Sequence, residues 1–154
     1  MPVEVSLSNR VDYPIDQLTK LAEKMLDTVD MSMSELSILL TDDAFIQPLN
    51  MEWRQVDAPT DVLSFPQGDS PEFPDGPAHL LGDVVISIER ATAQAEDLGH
   101  DLPTELSVLL AHGLAHLLGY EHHSTVEQER MRQIERQLLG IGLTGLVERQ
   151  GEEG

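Results

Sequence analysis

Three histidines in the last third of the chain have the spacing of a metal site. His112 and His116 are four residues apart in a predicted helix, where side chains at positions i and i+4 lie on the same face. Gly119 can take the left-handed conformation that ends a helix, so the chain can reverse and bring His122 to the same place. Three neutral imidazoles and one open position are typical of catalytic zinc, which activates water at neutral pH. The chain has no cysteine, so all-nitrogen ligation is the form available.

The identity of the third ligand and the chemistry of the site both have alternatives. His123 is adjacent to His122 and could replace it, although the spacing after Gly119 favours His122. The same histidine spacing occurs in metzincin proteases, which carry a glutamate general base directly after the first histidine. Here that position is Gly113, which cannot transfer a proton. The pattern therefore predicts a zincin-like metal helix but leaves a peptidase without its base.

Alternating strand and helix signals surround this segment. They predict the order β-α-β-α-β-β-α-α-α, with strands at 3–7, 35–41, 62–65 and 80–88 and helices at 14–27, 42–53, 91–98, 103–118 and 124–139. This order is a mixed α/β pattern of one small sheet with helices packed on it. We expect loops where prolines and glycines follow Pro66.

Composition limits the function classes. The 154 residues are enough for one domain with a real core, and 40% of them are hydrophobic. No stretch is apolar enough for a membrane span, and the N-terminal residues do not resemble a signal peptide, so we expect a cytoplasmic protein. The chain has 28 acidic against 9 basic residues, a net charge of −19. This acidity argues against tight binding of nucleic acid through phosphate contacts.

The histidine block, which reads HGLAHLLGYEH over residues 112–122, resembles the pattern HGxLHLxGYDH of the YbeY-type endoribonucleases. Three further blocks resemble that family in the same order: LNMEWR at 49–54, PTDVLSFP at 59–66 and LLGDVVIS at 80–87. Two departures from the family pattern are mild: Ala115 replaces leucine, and Glu121 replaces aspartate. In addition, Val56 stands where lysine is frequent, which removes a positive charge that could contact RNA.

The resemblance implies an α+β fold, with a small mixed four-stranded sheet and a helix that carries two metal ligands. It implies one zinc or another divalent metal per chain on His112, His116 and His122, with Arg54 as a catalytic residue. The implied activity is single-strand-specific cleavage of RNA in the maturation of the 16S ribosomal RNA 3′ end and in ribosome quality control. The implied unit is a single metal-dependent endoribonuclease domain at 1–147. The acidic, glycine-ended composition of residues 148–154 predicts a disordered tail.

The implied partners are precursor ribosomal RNA, the small ribosomal subunit and basic ribosomal proteins, with no DNA and no membrane. Arg130, Arg132 and Arg136 concentrate positive charge on the last predicted helix, while the acidic surface would attract basic proteins. We therefore expect weak cleavage of free RNA that rises in a ribosomal context. Two alternatives stay open: a zinc hydrolase of another class, such as a peptidase, and a non-catalytic ribosome-assembly factor. Roles for Asp83 and Glu105 also stay open.

Overall fold

The order of strands and helices is the one that the sequence predicts. The computed structural model describes residues 3–8, 11–67, 80–120 and 124–140. Its strands and helices are β1 (Val3–Leu7), α1 (Asp16–Thr28), β2 (Glu35–Thr41), α2 (Asp43–Arg54), β3 (Val62–Pro66), β4 (Leu80–Ser87), α3 (Ile88–Leu98), α4 (Leu102–Leu117) and α5 (Thr125–Leu139). Most of the predicted loop after Pro66 and all of the predicted acidic tail at 148–154 lie outside the described residues.

The four strands form one mixed sheet in the order β1-β2-β4-β3. Strands β1, β2 and β4 are parallel, and β3 runs antiparallel at one edge. Apolar runs in β2 and β4 are typical of central parallel strands that are covered on both faces. This sheet with its five helices confirms the predicted α+β fold.

One face of the sheet carries the larger core. Because successive strand side chains point to opposite faces, Leu36, Ile38, Val84 and Ile86 share one face. Helix α4 packs on this face against β3 and β4, while α1 packs against β1 and α5 packs against α4. These buried side chains form one continuous cluster that includes most of the apolar residues of α4. The cluster fixes α4 firmly with respect to the sheet.

The opposite face is covered by α2 and has a much smaller core. Its buried residues are Ile46, Leu63 and Val85, with Leu39 and other half-buried side chains around them. Leu63 and Val62 are adjacent in β3 and therefore point to opposite faces, with Val62 in the larger cluster. Helices α2 and α4 thus lie on opposite sides of the sheet.

The boundary between β4 and α3 differs from the prediction. The strand was expected to reach Ile88 and the helix to begin at Ala91, but β4 ends at Ser87 and α3 begins at Ile88. The reason is a helix cap: the Ser87 hydroxyl accepts a hydrogen bond from the Arg90 backbone N–H at 3.2 Å. The cap starts the helix at Ile88, although isoleucine favours strands. No helix in the described part of the chain is long and apolar enough to cross a membrane.

Candidate metal centre

Helix α4 is buried nearly all round except for one narrow stripe. From Glu105 to its last residue, the partly exposed positions are Val108, His112 and His116, at intervals of four residues. Residues at this spacing lie one above another on a helix. The helix therefore presents two histidines at the surface, while every neighbouring position is fixed by packing.

The two histidines converge on one point. Nε2 of His116 lies 3.2 Å from Nε2 of His112, and the rings are nearly perpendicular, with centroids 4.7 Å apart. Two nitrogens that share a tetrahedral zinc with bonds of about 2.0–2.1 Å are separated by about 3.3 Å. The observed separation fits two ligands of such a site, as the i, i+4 spacing predicted.

The third predicted ligand lies outside the described residues, as does its alternative, His123. Within the described ranges, no group of three or more potential metal-ligating side chains lies together. Ligation by His122 therefore stays a prediction. The geometry that leads toward it is described up to Tyr120.

The end of α4 confirms the predicted role of Gly119. This residue has φ of +98°, a backbone conformation that favours glycine. The Gly119 N–H donates to the His116 carbonyl at 3.0 Å, and the Tyr120 N–H donates to the Ala115 carbonyl at 3.0 Å. Together these two bonds form a Schellman motif, with half-buried Tyr120 packed against the main core. The chain consequently turns sharply away from the helix axis one turn beyond His116.

A carboxylate on α5 binds the outer nitrogen of the first histidine. Glu135 Oε2 lies 2.6 Å from Nδ1 of His112, and the two side chains are 24% and 18% exposed. An ionised carboxylate can only accept, so this contact matches the His112 tautomer that has the proton on Nδ1 and the lone pair on Nε2. The sequence pattern alone does not single out Glu135. The available signal was its position next to Ile134 on the apolar face of α5, which also buries Met131 and Leu138.

Gly113 is explained by close packing of α4 on the sheet. A Cβ at this position would lie 2.8 Å from Val84 Cγ1 and 3.1 Å from Ser64 Oγ. The Ser64 hydroxyl also donates a hydrogen bond to the Gly113 carbonyl at 2.8 Å. The position next to His112 therefore faces the sheet, and a glutamate general base does not fit there. This contact disfavours the peptidase alternative.

The PTDVLSFP block has a structural role in this fold. Asp61 is buried, and its carboxylate accepts the Val62 backbone N–H at 2.8 Å. Its carbonyl accepts the Ser87 N–H at 2.9 Å, which ties the start of β3 to the end of β4. Val62 and Leu63 fill the two cores. The block thus anchors the edge strand against which α4 rests.

Arg54 lies at the end of α2, on the opposite side of the sheet from α4. Its side chain is exposed and, within the described part of the chain, makes no hydrogen bond or ion pair with another residue. Nearby, Asn50 is buried and donates from Nδ2 to the Ala58 carbonyl at 2.9 Å, which shapes the connection to β3. The structure brings His112 and His116 together, whereas Arg54 contacts neither histidine.

The two residues left open by sequence have described partners. Asp83 lies on the α2 side of the sheet and accepts a hydrogen bond from Gln67 Nε2 at 3.0 Å. Glu105 is completely buried in the first turn of α4 and lies 2.7 Å from His100 Nε2. The sequence had assigned no role to His100. This pair lies at the N-terminal end of α4, whereas His116 lies near the other end of the helix.

A family model described as Endoribonuclease YbeY matches residues 5–141. The chain belongs to the YbeY endoribonuclease family. The resemblance seen in the four sequence blocks is thereby confirmed over most of the chain, and the histidine pair on α4 lies within the matched region.

Curated YbeY relatives share close to half of their aligned residues with this chain. Endoribonuclease YbeY of Desulfitobacterium hafniense is 49% identical over 71% of this chain and 73% of that protein. The Aquifex aeolicus relative is 46% identical over 80% of this chain and 81% of its own length. The Myxococcus xanthus relative is 48% identical over 80% of this chain, but the match spans only 42% of that protein.

A solved structure supports the fold independently. The solution structure of the Thermotoga maritima protein TM1509 covers 97% of this chain with a TM-score of 0.58. The two sequences are 21% identical. The similarity therefore concerns the fold.

This YbeY family member has few basic residues, and three of its arginines lie on α5. Arg130 and Arg136 are exposed on α5, the helix that also carries Glu135, and Arg132 is half-buried on it. These residues stand out against a net charge of −19. Their helix packs directly against α4.

Proposed function

We propose that this chain is a zinc-dependent, single-strand-specific endoribonuclease that acts on ribosomal RNA precursors, including the 16S 3′ end. The observation that carries the proposal is the pair of Nε2 atoms, 3.2 Å apart on the exposed stripe of α4, in a member of the YbeY family. His112 and His116 would hold the metal together with His122. Zinc bound there supplies Lewis acidity toward a phosphate or a water.

The chain's own residues act on the RNA backbone. The guanidinium of Arg54 can hold two phosphate oxygens at once and can stabilise the negative charge that develops on them during cleavage. Its exposed position at the end of α2 leaves it accessible to a substrate that crosses the edge strand β3. The attacking group is either a water or the ribose 2′-OH. A 2′,3′-cyclic phosphate on the upstream product identifies the 2′-OH.

The acidic surface fits delivery of RNA by basic partners. A net charge of −19 repels free RNA, whereas it attracts basic ribosomal proteins of the small subunit. We propose that cleavage takes place in the cytoplasm, is weak on isolated RNA and increases on ribosomal particles. Tight, salt-sensitive binding of naked RNA by the isolated chain would contradict this part of the proposal.

The reaction class is tested by two substrates assayed side by side. We expect cleavage of single-stranded RNA that stops when a chelator removes zinc and returns when zinc is added. We expect no hydrolysis of casein under the same conditions, because Gly113 faces the sheet and supplies no base. Chelator-sensitive casein hydrolysis without RNA cleavage would replace the proposal with the peptidase alternative.

The role of Arg54 is tested by Arg54→Ala, with Arg130→Ala as a matched loss of one exposed arginine. We expect Arg54→Ala to lower kcat/KM for single-stranded RNA by about a hundredfold, the usual effect of removing a group that stabilises transition-state charge. Zinc content and folding should remain unchanged. Equal activities of the two variants would remove Arg54 from the catalytic machinery.

A further inference from the structure

We propose that Glu135 is a positioning residue that holds His112 in the tautomer required for metal binding. The inference rests on the proposed metal function. Its structural basis is the 2.6 Å contact between the Glu135 carboxylate and Nδ1 of His112, opposite the nitrogen that faces His116. A proton held on Nδ1 leaves the lone pair on Nε2, which points to the shared metal position.

The contact has the properties of a directional bond. A separation of 2.6 Å is at the short end for a hydrogen bond to an ionised carboxylate. Both side chains are mostly buried, which reduces competition from water. The bond also prevents the His112 ring from rotating about its χ2 angle and so fixes the direction of Nε2.

Docking of α5 does not depend on this bond. The helix buries Met131, Ile134 and Leu138 against the main core on the same side that carries Glu135. Apolar contacts of this kind supply most of the free energy that holds a helix in place. Glu135 itself is 24% exposed, so its substitution is expected to leave the fold intact.

A second histidine–carboxylate pair, at the start of α4, provides an internal comparison. In the pair of His100 and Glu105, the carboxylate contacts Nε2 instead of Nδ1. Ionised carboxylates therefore predict opposite tautomers for the two rings, with the proton on Nε2 in His100 and on Nδ1 in His112. The two rings can be distinguished in one spectrum.

The first experiment uses the full chain, freed of metal by a chelator, at about pH 8, where imidazoles are ordinarily neutral. Long-range ¹⁵N–¹H NMR correlations report which ring nitrogen carries the proton. We expect Nδ1–H for His112 in the wild type and a shift toward Nε2–H in Glu135→Ala. The control is Glu129→Ala, which removes an exposed carboxylate from the same helix and should preserve the wild-type tautomer.

The second experiment measures zinc affinity of the same three proteins by competition with a chromogenic chelator. We expect Glu135→Ala to bind zinc about 10- to 100-fold more weakly than Glu129→Ala. Glu135→Gln keeps a neutral acceptor and should recover part of the loss. Identical tautomers and identical zinc affinities in Glu135→Ala and Glu129→Ala would overturn the inference.

Failure of this inference is distinguishable from failure of the proposed function. If the wild type binds zinc and cleaves RNA while Glu135→Ala behaves like the control, the positioning role is wrong and the function stands. If the tautomer depends on Glu135 but the wild type binds no zinc, the hydrogen bond is correctly assigned and the metal function is wrong.

Discussion

The two faces of the sheet differ in how firmly they hold the residues that matter for function. On one face, α4 is clamped between the sheet, α3 and α5, and its two histidines extend from a helix whose other sides are buried. On the other face, α2 rests on a small cluster around Ile46, and its end carries exposed Trp53 and Arg54. The two histidines thus have fixed positions, whereas the exposed Arg54 side chain has no partner among the described residues. The proposed cleavage therefore combines two rigidly held metal ligands with an exposed phosphate contact on the other side of the sheet.

Truncation of one buried residue on each face tests this difference most strongly. Leu114→Ala in α4 should lower the free energy of unfolding by about 3–5 kcal/mol, because the large core cannot collapse around the cavity. Ile46→Ala in α2 should cost about 2–3 kcal/mol, because the small cluster can relax. Urea unfolding of both variants measures the difference. A larger loss for Ile46→Ala would show that the α2 side is the more rigid one.

The close approach of α4 to the sheet is tested at Gly113. Alanine favours helices more than glycine does, yet Gly113→Ala should lower stability by about 1–3 kcal/mol because its Cβ would meet Val84 at 2.8 Å. The reverse change at an exposed helical site, Ala93→Gly in α3, should cost about 1 kcal/mol through propensity alone. A Gly113→Ala variant that is more stable than the wild type would contradict the packing described here.

The smallest expected effect concerns the ion pair between Asp43 on α2 and Arg90 on α3, whose contribution to stability depends on pH. Burial raises the pKa of Asp43, but hydrogen bonds from Arg90 and Ser87 and the charge of Arg90 outweigh it and hold the pKa below the ordinary value. Because the pKa of Asp43 is lower in the folded state than its unfolded value of about 3.9, the ionised carboxylate stabilises the fold at pH values above that unfolded pKa. This contribution is lost as the pH falls through the folded-state pKa. Asp43→Asn should therefore cost about 0.5–1 kcal/mol at neutral pH, after screening by solvent.

The measurement is unfolding as a function of pH, with Asp27→Asn as the matched removal of an exposed carboxylate on α1. The stability difference between Asp43→Asn and the wild type should shrink in acid and vanish below the folded pKa of Asp43. A difference that stays constant down to strongly acidic pH would mean that charge on Asp43 does not stabilise the fold through this ion pair.

Local sequence signals predicted the order of the strands and helices and the shared face of His112 and His116. Apolar periodicity identifies each strand and helix, and the i, i+4 spacing of His112 and His116 predicts their shared face. Gly119 and Ser124 mark a helix end and a helix start, since φ preference and capping depend on single residues. Ser124 caps α5, because its hydroxyl accepts a hydrogen bond from the Glu127 backbone N–H at 3.1 Å.

Long-range packing limited the remaining predictions. The contact of Glu135 with His112 depends on how α5 docks on α4, and the sequence spacing between them does not specify that geometry. Periodicity also does not reveal which side of the sheet a helix occupies, so the separation of Arg54 from the histidines was not foreseen. Pro48 lies inside α2, where a proline would ordinarily argue for a helix boundary.

The central claim is that the histidine pair on α4 holds a catalytic metal. The most direct measurement determines zinc content and RNA cleavage in the same preparations of wild type, His116→Ala and His100→Gln. The wild type should contain about one zinc per chain and cleave single-stranded RNA. His116→Ala should remain folded and lose both properties, while His100→Gln, which keeps an N–H donor for Glu105, should retain both. A folded His116→Ala protein that cleaves RNA at the wild-type rate would contradict the account.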